Sequence, residues 1–526
     1  VVAEMAGHGC SSAAMERIEN SIREKGLNRI VIGGCSPRTH ETLFQNTLRK
    51  AGLNKYLVEI ANIRDQDTWV HADLPGPSTQ KAKDLVRMAV AGVRFRRPHS
   101  DLVLPMNKDV LVVGGGVSGM TAALNLADQG FKVFLVERMR ELGGLAGQLR
   151  KSLEGEEIAA HVRALVDRTL AHARIEVLTQ TIIVDHSGMP GAFTTGAQAG
   201  PRMLYRQIRH GATILATGAL PRRPAEYLLG EHAAVVTQLD LDGIIEDDPE
   251  RVARWDTVVM IQCVGSRTPD NPNCSKICCQ SAVKNILRIR RVNPDARILV
   301  LYRDLRTPGF QEDYAIEARR LGALFVQYDP SAKPGVSAAG EKLAVSFDDP
   351  VLGRRLQVEA DCLALSTGFV ADDEGTEDLA AIFHLNRTAD GFFLEDHVKL
   401  RPVELSVPGF TVAGTAHGPK SVRESITQAL AASARVQALL AREVINLGAV
   451  AARVDRDRCA ACLLCVRACP YHIPFINADG VSEIDATRCH GCGTCAAECP
   501  AKAIDLVRFE DAVISAQLNG LLERLN

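Results

Sequence analysis

Eight of the fifteen cysteines fall into two copies of one spacing. Cys459-x2-Cys462-x2-Cys465-x3-Cys469-Pro470 recurs as Cys489-x2-Cys492-x2-Cys495-x3-Cys499-Pro500. A C-x2-C-x2-C triplet grips three corners of a [4Fe–4S] cubane, and the fourth cysteine of each run ligates the other cluster. The pattern therefore predicts one cluster on Cys459, Cys462, Cys465 and Cys499, and a second on Cys489, Cys492, Cys495 and Cys469. Tetrahedral zinc is a poor rival, because its sites seldom use interlocked triplets. Clusters of this kind pass electrons singly.

A second group, Cys263, Cys274, Cys278 and Cys279, is spaced C-x10-C-x3-C-C. Four thiolates can complete a third [4Fe–4S] ligand set. The spacing is unusual, and the residues alone leave structural zinc open. Cys10 and Cys35 each lie in a loop before a serine. Two cysteines are too few for a cluster, and on the residues they read as ordinary thiols. No C-x-x-C pair lies outside the repeated run, which argues against direct thiol–disulfide catalysis.

The other chemistry-bearing stretch is Val113-Gly-Gly-Gly-Val-Ser-Gly119, with Gly114, Gly116 and Gly119 at G-x-G-x-x-G spacing. The first glycine permits a tight turn, the second lets a pyrophosphate approach the backbone, and the third lets helix and strand pack closely. Helix N–H groups and dipole then face the phosphates. The flanks fit this reading. Val110–Val113 is a buried strand, a helix runs from Val117 to about Gln129, and Phe131–Glu137 is a second strand ending in an acid. Glu137 stands where a ribose hydroxyl is held. A second glycine turn, Glu141-Leu-Gly-Gly-Leu-Ala-Gly147, puts Gly143 and Gly144 on the flavin side of an FAD site. Two further strand ends, Ala216-Thr217-Gly218 and Ala413-Gly414-Thr415, are the remaining candidates for lining it. The helix Val422–Leu440 would point its N-terminus at the flavin pyrimidine ring and favour anionic reduced flavin.

Around Cys263 the chain has a second α/β pattern: strand Trp255–Gln262, helix Gln280–Arg291, strand Ala296–Tyr302, and a strand into Ser366-Thr367-Gly368. A nicotinamide cofactor would need a glycine loop after the first strand. The turn there is Cys263-Val-Gly-Ser-Arg267, with no G-x-G-x-x-G. NAD(P) is therefore not expected, and a metal site on the four cysteines, a cluster or structural zinc, is the candidate in its place.

The fold predicted is α/β: a thioredoxin-reductase-like two-dinucleotide-domain flavoprotein. It carries an N-terminal α/β domain and a C-terminal α+β bacterial-type 2[4Fe-4S] ferredoxin domain. Residues 1–104 are the N-terminal domain, with helices Met15–Lys25, Glu41–Ala51 and Thr79–Phe95 and strands Leu27–Gly34 and Tyr56–Ile60. Residues 105–254 and 372–447 bind FAD, and 255–371 carry the cysteine loop. Residues 448–508 are the ferredoxin domain, flanked by strands Ile473–Ile476 and Ala503–Val507. Residues 509–526 hold a docking helix, Asp511–Leu525. The net charge of −2 implies no pull toward nucleic acid or anionic membrane. No apolar run reaches the ~18 residues of a spanning helix, and the start, Val1-Val-Ala-Glu, has no basic signal region. It also lacks Met, so the given chain is expected to begin inside its gene product. The expected location is cytoplasmic.

Together these stretches resemble the heterodisulfide reductase A-subunit family over nearly the whole chain. The motifs that carry the resemblance include Cys35-Ser-Pro-Arg-Thr-His-Glu-Thr-Leu-Phe44, Asn62-Ile-Arg-Asp-Gln-Asp-Thr-Trp-Val-His71, Ile261-Gln-Cys-Val-Gly-Ser-Arg267 and Cys274-Ser-Lys-Ile-Cys-Cys279. The resemblance implies FAD, a cluster on Cys263, Cys274, Cys278 and Cys279 beside it, and Lys284 near the flavin's reactive nitrogen. It implies electron bifurcation or confurcation with low-potential ferredoxin. It also implies partners: B- and C-like subunits and a hydrogenase D-subunit-like [2Fe–2S] protein, as a dimer of a larger hetero-complex. The chain departs from the family in having Asp67 where a cysteine is frequent. It lacks the family's further upstream cysteines, so a fourth cluster at Cys10 and Cys35 is in question. It also has no cysteine in residues 151–210, where some members insert a ferredoxin domain. The rival readings are an NAD(P)H-dependent oxidoreductase feeding its own ferredoxin domain, and a scaffold whose flavin is structural.

Overall fold

The structure is a computed structural model that describes residues 2–269 and 271–523. It consists of two compact units, Pro105–Glu443 and a unit joining Val1–Leu104 to Val444–Asn526.

Within Pro105–Glu443 the chain builds one architecture twice. The first half centres on a seven-stranded sheet in the order Glu395–His397, Arg401–Leu405, Phe410–Val412, Ala212–Leu215, Val110–Val113, Val133–Val136, Ile175–Leu178. The strands from Phe410–Val412 onward are parallel, in register Thr213↔Phe410, Ala212↔Val110 and Val110↔Val133. Helices cover both faces of such strands, which explains the unbroken apolar runs. All four residues of Val110–Val113 and of Val133–Val136 are buried. The second half has a five-stranded parallel sheet in the order Val235–Thr237, Cys362–Leu365, Thr257–Ile261, Arg297–Tyr302, Leu324–Gln327. Each half also contains a three-stranded antiparallel meander, Ile182–His210 in one and Gly335–Ala360 in the other, which feeds straight into a central strand ending in Thr-Gly. The two Thr-Gly ends meet where Leu220–Pro221 pairs with Phe369–Val370.

One buried titratable group in the first meander makes this unit sensitive to acid. His210 is fully buried between the Thr195 hydroxyl (2.8 Å) and the Ala212 carbonyl (3.0 Å). Burial, reinforced by His186, pushes its pKa down to about 3. A histidine depressed in the folded state is charged first in the unfolded chain. Stability is therefore full above the unfolded value of about 6.5 and falls as pH drops below it, with a slope approaching roughly 1.4 kcal/mol per pH unit until about 3. Chemical denaturation of the unaltered chain and of His210→Gln at pH 7 and pH 5 should show the larger acid loss in the unaltered chain.

In the other unit, parallel strands Ile30–Gly34 and Val58–Asn62 carry helices Ser12–Lys25, Pro37–Lys50 and Pro75–Val93. The ferredoxin stretch has paired strands Ala452–Val454 with Ile504–Leu506 and Phe475–Ile476 with Ser482–Glu483, plus short helices Leu464–Ala468 and Thr494–Glu498. Segments that the sequence boundaries 1–104, 448–508 and 509–526 divide are here packed as one unit. Helix Asp511–Leu522 lies along Pro75–Val93; Leu525, the end expected from sequence, lies outside the described residues. Arg96 donates to Glu59 (2.8 Å) and to the Arg508 carbonyl, and Arg508 reaches Glu41 (2.6 Å). Gly520 sets the helix crossing: a Cβ there would stand 2.8 Å from the Ala91 Cβ and 3.2 Å from the Arg87 carbonyl. Gly520→Leu is expected to cost about 1–3 kcal/mol and to expose the terminal helix to limited proteolysis.

Candidate functional site

The nucleotide turn has the geometry its glycines imply. Gly114 is left-handed, at φ +110°, and a Cβ on it would overlap the Ala216 carbonyl. A Cβ on Gly119 would overlap the Gly114 carbonyl, so helix Val117–Asp128 can pack only if that position is bare. At Gly116 a Cβ would meet nothing within 4 Å. Open space at the middle glycine, between two crowded ones, is the cradle a pyrophosphate needs. Glu137 is buried, and its two carboxylate oxygens accept from the N–H groups of Gly115 (2.6 Å) and Met139 (2.7 Å). Each oxygen retains a lone pair for a ribose hydroxyl.

The second glycine turn is joined to the first. The Gly143 N–H donates to the Gly115 carbonyl (2.9 Å), and Gly144 leads into a 3₁₀ turn, Gly144–Gln148. Thr217 follows the central strand Ala212–Leu215, and its hydroxyl oxygen is buried without a partner among the described residues. An orphaned hydroxyl beside the glycine cradle is the mark of a missing polar ligand. Gly414 donates to the Gln428 side chain (2.9 Å) and packs against Ser118, and Thr415 follows in a 3₁₀ turn. Beyond it, His417 contacts Gln428 (2.8 Å), Lys420 (3.4 Å) and Glu395 (3.5 Å). Burial, reinforced by the charge of Lys276, lowers the Lys420 ammonium to about 8. The residues thus fit FAD, and Gln428, His417 and Lys420 are polar groups at this end that sequence reasoning gave no role.

The cysteine loop lies between strand Thr257–Ile261 and helix Cys278–Val292, against the Thr-Gly end of Cys362–Leu365. Ser275 accepts from the Phe369 N–H (2.8 Å), Asn273 donates to Asp390 (2.5 Å), and Lys276 pairs with Glu424 (2.5 Å) at the start of helix Val422–Leu440. The loop is therefore tied to the FAD half by both polar and ionic contacts. Cys278 is raised by burial and then by the neighbouring charges of Cys279, Cys263 and Cys274, so the four thiols share one locale. Cys279 is pushed up to about 11 by burial. A metal that coordinates a thiol deprotonates it, which offsets this effect of burial. Cysteines gathered in this way fit a cluster.

Four of the ferredoxin cysteines share one cavity. Cys459, Cys462, Cys465 and Cys499 line one small cavity with Ile476 and Ile504. Cys495 is pushed up to about 11, by burial first and then by Cys489, Cys492, Cys469 and Cys465. N–H groups of Ser482, Ala452 and Ala503 donate to the sulfurs of Cys459 (3.4 Å), Cys489 (3.4 Å) and Cys499 (3.3 Å). Such donors raise a cluster's potential. Among the described residues no group of three or more His, Cys, Asp or Glu is placed to hold a metal ion. Of the N-terminal residues, Cys10 is exposed, while Cys35 accepts from Arg64 (3.2 Å) at the end of strand Ile30–Gly34. Asp67 is fully buried in a π-helical turn and accepts from Ser78 (3.2 Å).

Lys284 is buried on helix Cys278–Val292. Its ammonium meets Asp242 (2.8 Å) and donates to the Lys151 carbonyl (3.1 Å), just past the Gly144–Gln148 turn.

These features define a flavin-dependent oxidoreductase joined to a dicluster iron–sulfur domain. Family models agree: residues 109–203 match the FAD dependent oxidoreductase family, and 451–505 the 4Fe-4S dicluster domain. The chain belongs to the heterodisulfide reductase A-subunit family. It is 32% identical to the second iron–sulfur A-subunit of the CoB–CoM heterodisulfide reductase of Methanopyrus kandleri, over 91% of this chain and 87% of that one. It is 31% identical to the A-subunit of the H2:CoB-CoM heterodisulfide,ferredoxin reductase of Methanothermobacter marburgensis, over 90% and 85%. A solved structure with some likeness is thioredoxin reductase of T. acidophilum, at TM-score 0.45 and 14% identity, covering 63% of this chain and 97% of that one. No helix among the described residues is long and apolar enough to cross a membrane.

Proposed function

We propose that this chain is the flavin-bearing component that divides, or joins, electron pairs between a two-electron partner and low-potential ferredoxin. It works in a cytoplasmic complex with heterodisulfide reductase B- and C-like subunits and a hydrogenase D-subunit-like [2Fe–2S] protein. The observation that carries this reading is the loop Cys263–Cys279. It occupies the position of a nicotinamide-binding turn, lacks the glycines for one, and is fastened to the FAD half through Lys276–Glu424 and Asn273–Asp390. The names of relatives support it, since they couple heterodisulfide reduction to hydrogen, ferredoxin or F420H2.

FAD, when bound, supplies chemistry that takes electrons in pairs or singly. The chain's residues do the rest. Gly114, Gly116 and Gly119 bare the backbone for the pyrophosphate, and Glu137 holds the ribose. Gly143, Gly144, Thr217, Gly218, Gly414 and Thr415 would line the flavin site, to which Lys284 would add a buried cation. Cys263, Cys274, Cys278 and Cys279 hold one cluster beside it, and the eight ferredoxin cysteines hold two more. An anaerobic count of the isolated chain should find about twelve irons per flavin, the content of three [4Fe–4S] clusters. NADH added anaerobically should leave the flavin oxidised; prompt bleaching overturns this reading in favour of an NADH-dependent oxidoreductase. Reduced ferredoxin should bleach it, and failure to do so leaves the flavin a structural role.

A further inference from the structure

Asp242 is fully buried on helix Gln238–Asp247 and is the meeting point of three segments. One carboxylate oxygen accepts from the Lys284 ammonium (2.8 Å) and from the Arg288 guanidinium. The other accepts from the backbone N–H of Arg150 (2.8 Å). The side chain thus ties its own helix to helix Cys278–Val292, which carries Cys278 and Cys279, and to the segment just beyond the Gly144–Gln148 turn.

The two cations it serves are not equivalent. Arg288 has a second carboxylate, Glu246, at 2.5 Å. Among the described residues, the only anion paired with Lys284 is Asp242. Its remaining contact, the Lys151 carbonyl at 3.1 Å, is neutral. A buried ammonium without a counter-charge is unstable, and it gives up its proton or moves to water. Burial already works against the charged form of Lys284, and Asp242 opposes that. Removing Asp242 leaves Arg288 paired and strands Lys284.

We infer that Asp242 is a positioning residue for the flavin site: its carboxylate keeps the Lys284 ammonium charged and fixed against the segment that follows the flavin-side glycine turn. The inference rests on reading Lys284 as a cation that acts on the flavin. Asp242 lies 42 positions before Lys284, and no motif connects the two.

The test uses the full chain loaded with FAD, equilibrated anaerobically with a redox dye and read by visible absorbance. A cation a few ångströms from the ring at an effective dielectric near 20 biases reduction by more than about tenfold. Lys284→Gln should therefore change the oxidised-to-reduced flavin ratio at fixed dye potential by about tenfold or more. Asp242→Asn should change it in the same direction by at least about threefold, because the stranded ammonium is partly lost or displaced. Glu246→Gln, which leaves the Asp242–Lys284 pair intact, should stay within about twofold of the unaltered chain. If Asp242→Asn does not retain flavin, Asp242→Glu is read in its place. Its extra methylene displaces the ammonium, and an unaltered ratio overturns the inference. A shift in Lys284→Gln without one in the Asp242 variants overturns the role of Asp242 and leaves the Lys284 reading standing. No shift in Lys284→Gln removes the Lys284 reading and the inference together. An equal shift in Glu246→Gln makes the effect one of general charge and overturns the role of Asp242.

Discussion

Replacing Cys469 with serine is expected to empty the cluster held by Cys489, Cys492 and Cys495 while the cluster beside Cys469 in sequence survives. The near neighbours, Cys459, Cys462 and Cys465, share their cavity with Cys499 instead. Cys499→Ser should do the converse. Each variant should lose about four irons of the total, and the EPR signal of the reduced chain should lose one component, different in the two variants. Loss of the same component in both would refute the crossed ligation. Because Cys469 and Cys499 are also buried in the apolar core of this small domain, some loss of fold is part of the expected outcome. Iron retained at about eight per chain distinguishes selective emptying from collapse, since the Cys263–Cys279 site and one ferredoxin site remain.

The second large effect is expected at the nucleotide turn. Gly119→Val should abolish FAD retention through purification while leaving the ferredoxin clusters in place. The added Cβ overlaps the Gly114 carbonyl, so helix Val117–Asp128 must shift away from the strand and carry its N–H groups off the phosphates. Overpacking of this kind costs about 1–3 kcal/mol, which alone weakens binding about 5- to 150-fold; losing the aligned N–H groups adds to it. Gly116→Ala is the contrast. Its Cβ meets no protein atom, so the apo chain should keep its stability and lose affinity only where the pyrophosphate would lie. A thermal melt of both apo variants beside a flavin-binding isotherm separates a steric role in folding from a role in ligand approach.

What could be read from the sequence was local. The cysteine triplets and the glycine turn are spacings within one loop. Helix Val422–Leu440 was legible because its apolar period is clean and Ser421 with Glu424 forms a capping box. Strands ending in Thr-Gly were legible because they are buried on both faces and read as apolar runs. Ala452–Val454 was not, since three residues with Arg453 exposed are too short to show a period. The helix expected from Thr79 begins at Pro75, where proline's missing N–H is no loss at the first turn. The contacts that organise the site were invisible for another reason. Lys276 meets Glu424 across 148 positions, and Asn273 meets Asp390 across 117. Each is an ordinary polar residue until the fold brings its partner near. Lys284 was singled out through the family resemblance alone; Asp242, which holds it, has no neighbourhood in the sequence that marks it.

Helix Pro75–Val93 packs on helix Asp511–Leu522, and the flavin-type unit lies between them in the chain. This order of segments has a consequence for biogenesis. On the ribosome the amino-terminal helices emerge with an apolar face whose partner has not yet been translated. At ordinary elongation rates the wait is on the order of half a minute. The intervening α/β unit can fold in that interval, because all of its strands lie within its own stretch. The unit that joins the two helices closes only after the ferredoxin segment has emerged, so cluster insertion and closure of that unit both wait for the later segment. Cells short of iron would then accumulate a species with a finished central unit and an open terminal one, and chaperones and proteases would meet it first at Pro75–Val93.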